Sequence, residues 1–121
     1  MLSNREFERV VREAVESIPS EFRDALQNID IVIEEHPEPE LLDELGMDRE
    51  ELLFGLYQGI PLPDRELGAT DLPDKITIYR GDLLCLDLSR EELMEEIRIT
   101  VIHEIGHYFG LDDDHMEELG Y

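Results

Sequence analysis

The sequence predicts an α+β fold, in which a small sheet of two or three strands packs against a buried helix with further helices around it. Two observations carry this expectation. Two short stretches, "IDIVIEE" at 29–35 and "DKITIYRG" at 74–81, are rich in β-branched residues, and "HPEP" stops the first of them. A long helix opening at Ser89 and running to about Phe109 is apolar on more than one side. Ile97, Val101, Ile105 and Phe109 lie along one row, and Ile99, Ile102 and Tyr108 extend the apolar surface around it. A helix apolar over so wide an arc belongs in the middle of its domain.

The remaining elements follow in chain order. Residues 3–17 read as a helix: Ser3 and Glu6 make a capping-box pattern, and Phe7, Val10, Val11, Ala14 and Val15 recur at helical spacing. Ile18-Pro19-Ser20 breaks it, and a short helix "SEFRDALQN" precedes the first strand. After that strand, "PELLDELG" reads as a short helix ending at Gly46. "DREELLFGLYQGIPLPDR" begins as a helical turn and becomes extended, punctuated by Gly55, Gly59, Pro61 and Pro63. "GDLLCLDL" has no clear pattern, and a helical turn is the reading it allows. Ser89 with Glu92 is a second capping box, opening the long helix, and "DDHMEELG" is a last short helix. There is no internal repeat, low-complexity segment or interdomain linker, so residues 1–121 are expected to form a single domain.

Composition narrows the function classes. Ten basic against 32 acidic residues give a net charge of −22, which would repel a phosphate backbone and argues against nucleic acid. No apolar run approaches the ~20 residues that a membrane span requires. The first residues, "MLSNREFERVVRE", do not resemble a signal peptide, and Cys85 is the only cysteine; together these point to the cytoplasm. The acidic balance has two readings: an attraction for basic peptides or a basic partner protein, or a solvated surface that serves solubility. Cys85 in "LLCLDL" is expected as a small core residue, and His36 in "EEHPEPE" as a surface loop residue. Tyr57 could line a groove or simply pack, and Tyr108 could lie near the chemistry or in the core. Asp112 and Asp114 could orient a histidine or belong to a solvated turn.

The chemistry concentrates in "HEIGHYFGLDDDH", residues 103–115. "HEIGH" places His103 and His107 four residues apart on the long helix, ~40° apart in projection and one turn along it, so both can share one metal ion. Glu104 lies ~60° from His107 in projection, too far round to be the natural ligand but close enough to reach a water on the metal, the place of a general base. Chance would give only about 0.02 occurrences of H-E-x-x-H in a chain of this composition. Two neutral imidazoles and a carboxylate would leave a position on zinc open for water. The metal lowers that water's pKa, Glu104 accepts its proton, and the hydroxide attacks a polarised carbonyl.

"HEIGHYFGLDD" resembles the zincin metallopeptidases that use aspartate as third ligand. "FERVVREAVESIPSEFRDALQNIDIVIEEHP", "LLFGLYQGIPLPDR" and "PDKITIYRGDLL" are similar to the small bacterial zincin-like metallopeptidase family. The resemblance spans nearly the whole chain. It implies a minimal zincin fold, with a small mixed sheet against an active-site helix, and peptidase activity with Zn2+ as cofactor. Matched onto this sequence, His103, His107 and Asp113 are the implied metal ligands and Glu104 the implied base. One feature of the larger metzincins has no room here: only eight residues follow Asp113, so a downstream Met-turn cannot form, and Met116 is expected to lie too near the motif to replace it.

Helix geometry bears on the third ligand as well. Were the helix to run straight on, Asp114 would return to the histidine face about 10.5 Å beyond His107, out of reach of ligand bonds of about 2.0–2.2 Å. The chain must therefore fold back, and Gly110 permits this by taking a left-handed conformation. Asp113 can then face the metal, with His115 as its rival. A zinc peptidase is the function expected. A non-catalytic zinc-stabilised acidic module that binds a partner protein is the alternative. Two histidines and a carboxylate also suit non-haem iron, but that chemistry has no use for Glu104.

Overall fold

The computed structural model describes residues 2–61 and 74–120. Its elements are α1 (Asn4–Glu16), α2 (Ser20–Arg23) running into a 3-10 turn (Asp24–Asn28), β1 (Ile29–Glu34), α3 (Pro39–Glu44), β2 (Gly55–Gln58), β3 (Asp74–Tyr79), α4 (Arg80–Leu84), α5 (Arg90–Tyr108) and α6 (Asp113–Glu118). Three strands form one mixed sheet in the order β1-β3-β2. β1 runs parallel to β3, pairing Ile29 with Asp74 through Glu34 with Tyr79, and β2 runs antiparallel, pairing Gly55 with Ile78 and Gln58 with Lys75. The α+β class with a small mixed sheet is the one the sequence predicts.

The starts of α1 and α5 owe their positions to side chains. Ser3 accepts from the Glu6 N–H at 3.2 Å. At α5 the capping box is complete: Ser89 accepts from the Glu92 N–H at 3.1 Å, and Glu92 accepts from the Ser89 N–H at 3.0 Å. The apolar stripe of α1 packs on α5, so that Phe7, Val10 and Ala14 are fully buried beside Ile97, Val101 and Ile105. Each of these side chains larger than alanine contributes about 1.5–3 kcal/mol on burial. Ile76 and Ile78 enter the same core from the sheet.

Three expectations need correction. Ile99 is 43% exposed, because the first half of α5 keeps one row, Glu91, Glu95 and Ile99, turned to solvent. From Val101 to Phe109 every position is buried or half-buried, so the motif sits in the part of the helix that is enclosed all round. Cys85 is exposed rather than in the core; its thiol donates to Gly81 O at 3.2 Å just past the end of α4. The helical turn expected at "DREELL" is only a tight turn, closed by the Glu51 N–H on Asp48 O at 3.1 Å. Buried Asp82 accepts from the Leu53 N–H at 2.9 Å and draws the chain straight into β2. The extended reading of the segment after Pro61 lies outside the described residues.

Candidate metal centre

α5 ends at Tyr108, one residue after His107, and the chain reverses at once. Gly110 has a φ of +82°. Its N–H donates to His107 O at 2.9 Å and the Leu111 N–H donates to Gly106 O at 2.9 Å, the paired bonds of a Schellman close. Asp112 then caps α6 by accepting from the His115 N–H at 2.9 Å, and Asp113 is the first residue of that helix. This path returns Asp113 to the histidines.

Both Nε2 atoms converge on one oxygen. Asp113 Oδ1 lies 2.7 Å from His103 Nε2 and 3.2 Å from His107 Nε2. The three residues offer donor atoms that all lie within 4.8 Å of one another. Donors set tetrahedrally at zinc bond lengths of about 2.0–2.2 Å are about 3.3–3.6 Å apart. The cluster is compact enough to close on one ion, and two imidazole nitrogens with a carboxylate oxygen are a donor set zinc accepts.

Glu104 stands beside this cluster, at the His107 ring nitrogen that Asp113 does not touch. Its Oε1 accepts from the Tyr57 N–H at 2.7 Å and lies 3.3 Å from His107 Nδ1. Both ring nitrogens of His107 therefore face carboxylates. The Glu104 hydrogen bond, reinforced by Asp113 and opposed by partial burial, pushes the His107 pKa up to about 9. Hydrogen bonds from His103 first, then His107, hold the Asp113 carboxyl below its usual range.

β2 reaches Glu104 because Gly55 lets it. A Cβ on Gly55 would stand 2.6 Å from Thr100 Cγ2 of α5, so a side chain there would lift the edge strand away from the helix. In the sequence Gly55 reads only as punctuation, although a glycine within a strand is also the signal of a close approach. The Tyr57 backbone donor has no side-chain signature and is not legible there. The Tyr57 ring packs edge-on against Tyr108, with centroids 5.9 Å apart, and Tyr108 is buried in the core.

Other candidates stay apart. His36 is paired with Asp82 at 2.5 Å, away from the cluster. His115 Nδ1 is engaged by Asp112 at 2.8 Å. The His115 N–H first, then its ring, hold the Asp112 carboxyl low, and the Asp112 hydrogen bond holds the His115 imidazole up. Met116 is fully buried against Gly106. We expect Asp113→Ala to weaken zinc binding about 10²-fold or more and His115→Ala to leave it within about twofold, measured by competition with a chelator of known affinity. The reverse order of effects would make His115 the third ligand.

A mixed sheet beside a helix that carries two histidines and a glutamate, with an aspartate folded back onto them, is the arrangement of a zincin. The chain belongs to the zincin-like metallopeptidase family, whose sequence profile matches residues 26–121. It is also similar to a solved structure, a conserved hypothetical protein from Thermo thermophilus. The two are 27% identical with a TM-score of 0.57, and the match covers 98% of this chain and 97% of the other. Among curated proteins none matches. Among the described residues, no helix is long and apolar enough to cross a membrane.

Proposed function

We propose that this chain is a zinc-dependent peptidase in which His103, His107 and Asp113 hold Zn2+ and Glu104 is the general base. The observation that carries the reading is the convergence of both histidine Nε2 atoms on Asp113 Oδ1, while a further buried carboxylate, Glu104, stands next to them but is anchored elsewhere. Zinc bound there would supply Lewis acidity toward a peptide carbonyl and a water molecule. The rest falls to this chain's own groups. Glu104 takes the proton from the attacking water and returns it to the leaving amine. The Tyr57 N–H fixes the Glu104 carboxylate, and the buried setting keeps that carboxylate from being screened by bulk water. His107 holds its orientation through Glu104, as a metal-binding imidazole does through the partner of its second nitrogen.

The test is metal analysis of the protein purified without added metal, followed by digestion of an unbiased peptide library. One equivalent of zinc with cleavage above a Glu104→Gln control supports the peptidase. One equivalent of zinc without such cleavage favours the alternative, a zinc-stabilised acidic module that binds a partner protein. The net charge of −22 adds a proposal about substrates. Peptides rich in Lys and Arg should be cut faster than acidic ones at low ionic strength, and the preference should shrink as salt shortens the screening length to about 8 Å and below. Equal turnover of both at low salt would assign the charge to solubility alone. Neither a membrane nor a nucleic acid is proposed as partner.

A further inference from the structure

Gly106 lies between the two histidines on α5, and its bare Cα leaves a notch that the Met116 side chain fills. A Cβ on Gly106 would overlap the Met116 sulfur and stand 2.8 Å from its terminal methyl carbon. Met116 has no exposed surface, and it is the one buried residue of α6. A helix of six residues is not stable alone, so α6 keeps its place through what it packs on. The backbone is pinned at the same spot, since the Leu111 N–H donates to Gly106 O. Asp113 and Met116 are three positions apart on α6 and share a face. The Asp113 side chain is 73% exposed, so packing of its own does not fix its carboxylate.

We propose that Met116, seated in the Gly106 notch, is a positioning residue for the third metal donor. It sets where Asp113 stands relative to His103 and His107, and through Asp113 it sets the affinity for Zn2+. This rests on the reading of Asp113 as a ligand. Metal–donor distances tolerate only about ±0.2 Å, so even the small movement of α6 that follows as the enclosed Met116 side chain gives way to an added carbon is large on the scale that matters. Methionine suits the task because its unbranched, flexible chain threads into a narrow gap that a branched side chain would fill poorly.

The test measures Zn2+ affinity by chelator competition, and the visible spectrum after Co2+ substitution, for Gly106→Ala and Met116→Ala in the full chain. Each should weaken Zn2+ binding about tenfold or more and alter the Co2+ spectrum, while far-ultraviolet circular dichroism stays that of the folded protein. In an Asp113→Ala background the same changes should cost less than about twofold, because the donor they position is gone. A purely structural role would lower the melting temperature without this dependence on Asp113. Gly106→Ala removes no core side chain, so it remains readable even where Met116→Ala unfolds. Wild-type affinity in Gly106→Ala, or an undiminished loss in the Asp113→Ala background, overturns the role given to Met116. Wild-type affinity in Asp113→Ala itself removes the ligand reading, and the proposal with it.

Discussion

Glu104→Gln should keep one equivalent of zinc and a folded chain, yet lower hydrolysis about 10²–10⁴-fold, the range lost with a general base. Glutamine has nearly the same shape as glutamate, and its amide oxygen can still accept the Tyr57 N–H that Glu104 Oε1 accepts at 2.7 Å. The edge strand therefore has no reason to move. What disappears is the ability to take a proton from water. The three donor residues are unchanged, and the amide oxygen can still accept from His107 Nδ1, so metal content measured after dialysis should match the wild type. The check is kcat/KM on whichever peptide the library digest yields, beside metal analysis of the same preparation. Loss of the metal with hydrolysis retained would make Glu104 a ligand and would require another base.

Zinc affinity should rise about tenfold per pH unit between pH 6.5 and about 9 and level off above that. The sign follows from His107. In the metal-free chain its pKa is pushed up to about 9, chiefly by the Glu104 hydrogen bond, so at neutral pH the ring holds a proton on each nitrogen. A ligand nitrogen must be free of its proton, so each ion taken up on the triad displaces one. Raising the pH removes that competition until His107 titrates by itself. The metal-free fold responds in the opposite direction. A raised folded-state pKa contributes stability that is complete below pH 6.5 and is lost as pH rises through about 9. The melting temperatures of the metal-free and zinc-loaded forms should therefore draw apart as pH increases. Chelator competition at half-unit steps of pH checks this, and an affinity flat from pH 6.5 to 9 would contradict it. In Glu104→Gln the largest cause of the shift is gone, so the plateau should begin at lower pH.

Elements with strong periodicity or caps were legible in the sequence. The β-branched runs gave β1 and β3, and the two capping patterns placed α1 and α5 within a residue or so of their observed ends. The left-handed turn at Gly110 was legible because a straight helix cannot return an aspartate to its own histidines, and the structure does bring Asp113 to them. Other features depend on contacts between distant segments. β2 has four residues and begins with a glycine, so it carries little pattern of its own; its place comes from pairing with β3 and from the closeness to α5 that Gly55 allows. Cys85 and Ile99 are apolar residues near other apolar residues in the sequence or on the helix surface, and only the packing partners decide which way they face. The fit of Met116 to Gly106 joins residues on two helices across a chain reversal, and neither residue alone announces it.

The order β1-β3-β2 also fixes how the sheet must assemble. β3 joins β2 across separations that fall from 23 residues at the Gly55–Ile78 pair to 17 at Gln58–Lys75, whereas every β1–β3 pair spans 45 residues, as from Ile29 to Asp74. The longer closure costs only about 0.6 kcal/mol more per doubling of loop length. Chain entropy therefore discriminates weakly between correct and shifted pairings of β1. Register has to come from side chains. A slip of one residue would turn Ile31 and Ile33, which pack against the core opposite Ile76 and Ile78, out of that face and bring Asp30, Val32 and Glu34 toward it. Asp30 and Glu34, on the face opposite the isoleucines of β1, thus make a misaligned sheet costly, and in this chain part of the acidic composition guards the strand pairing.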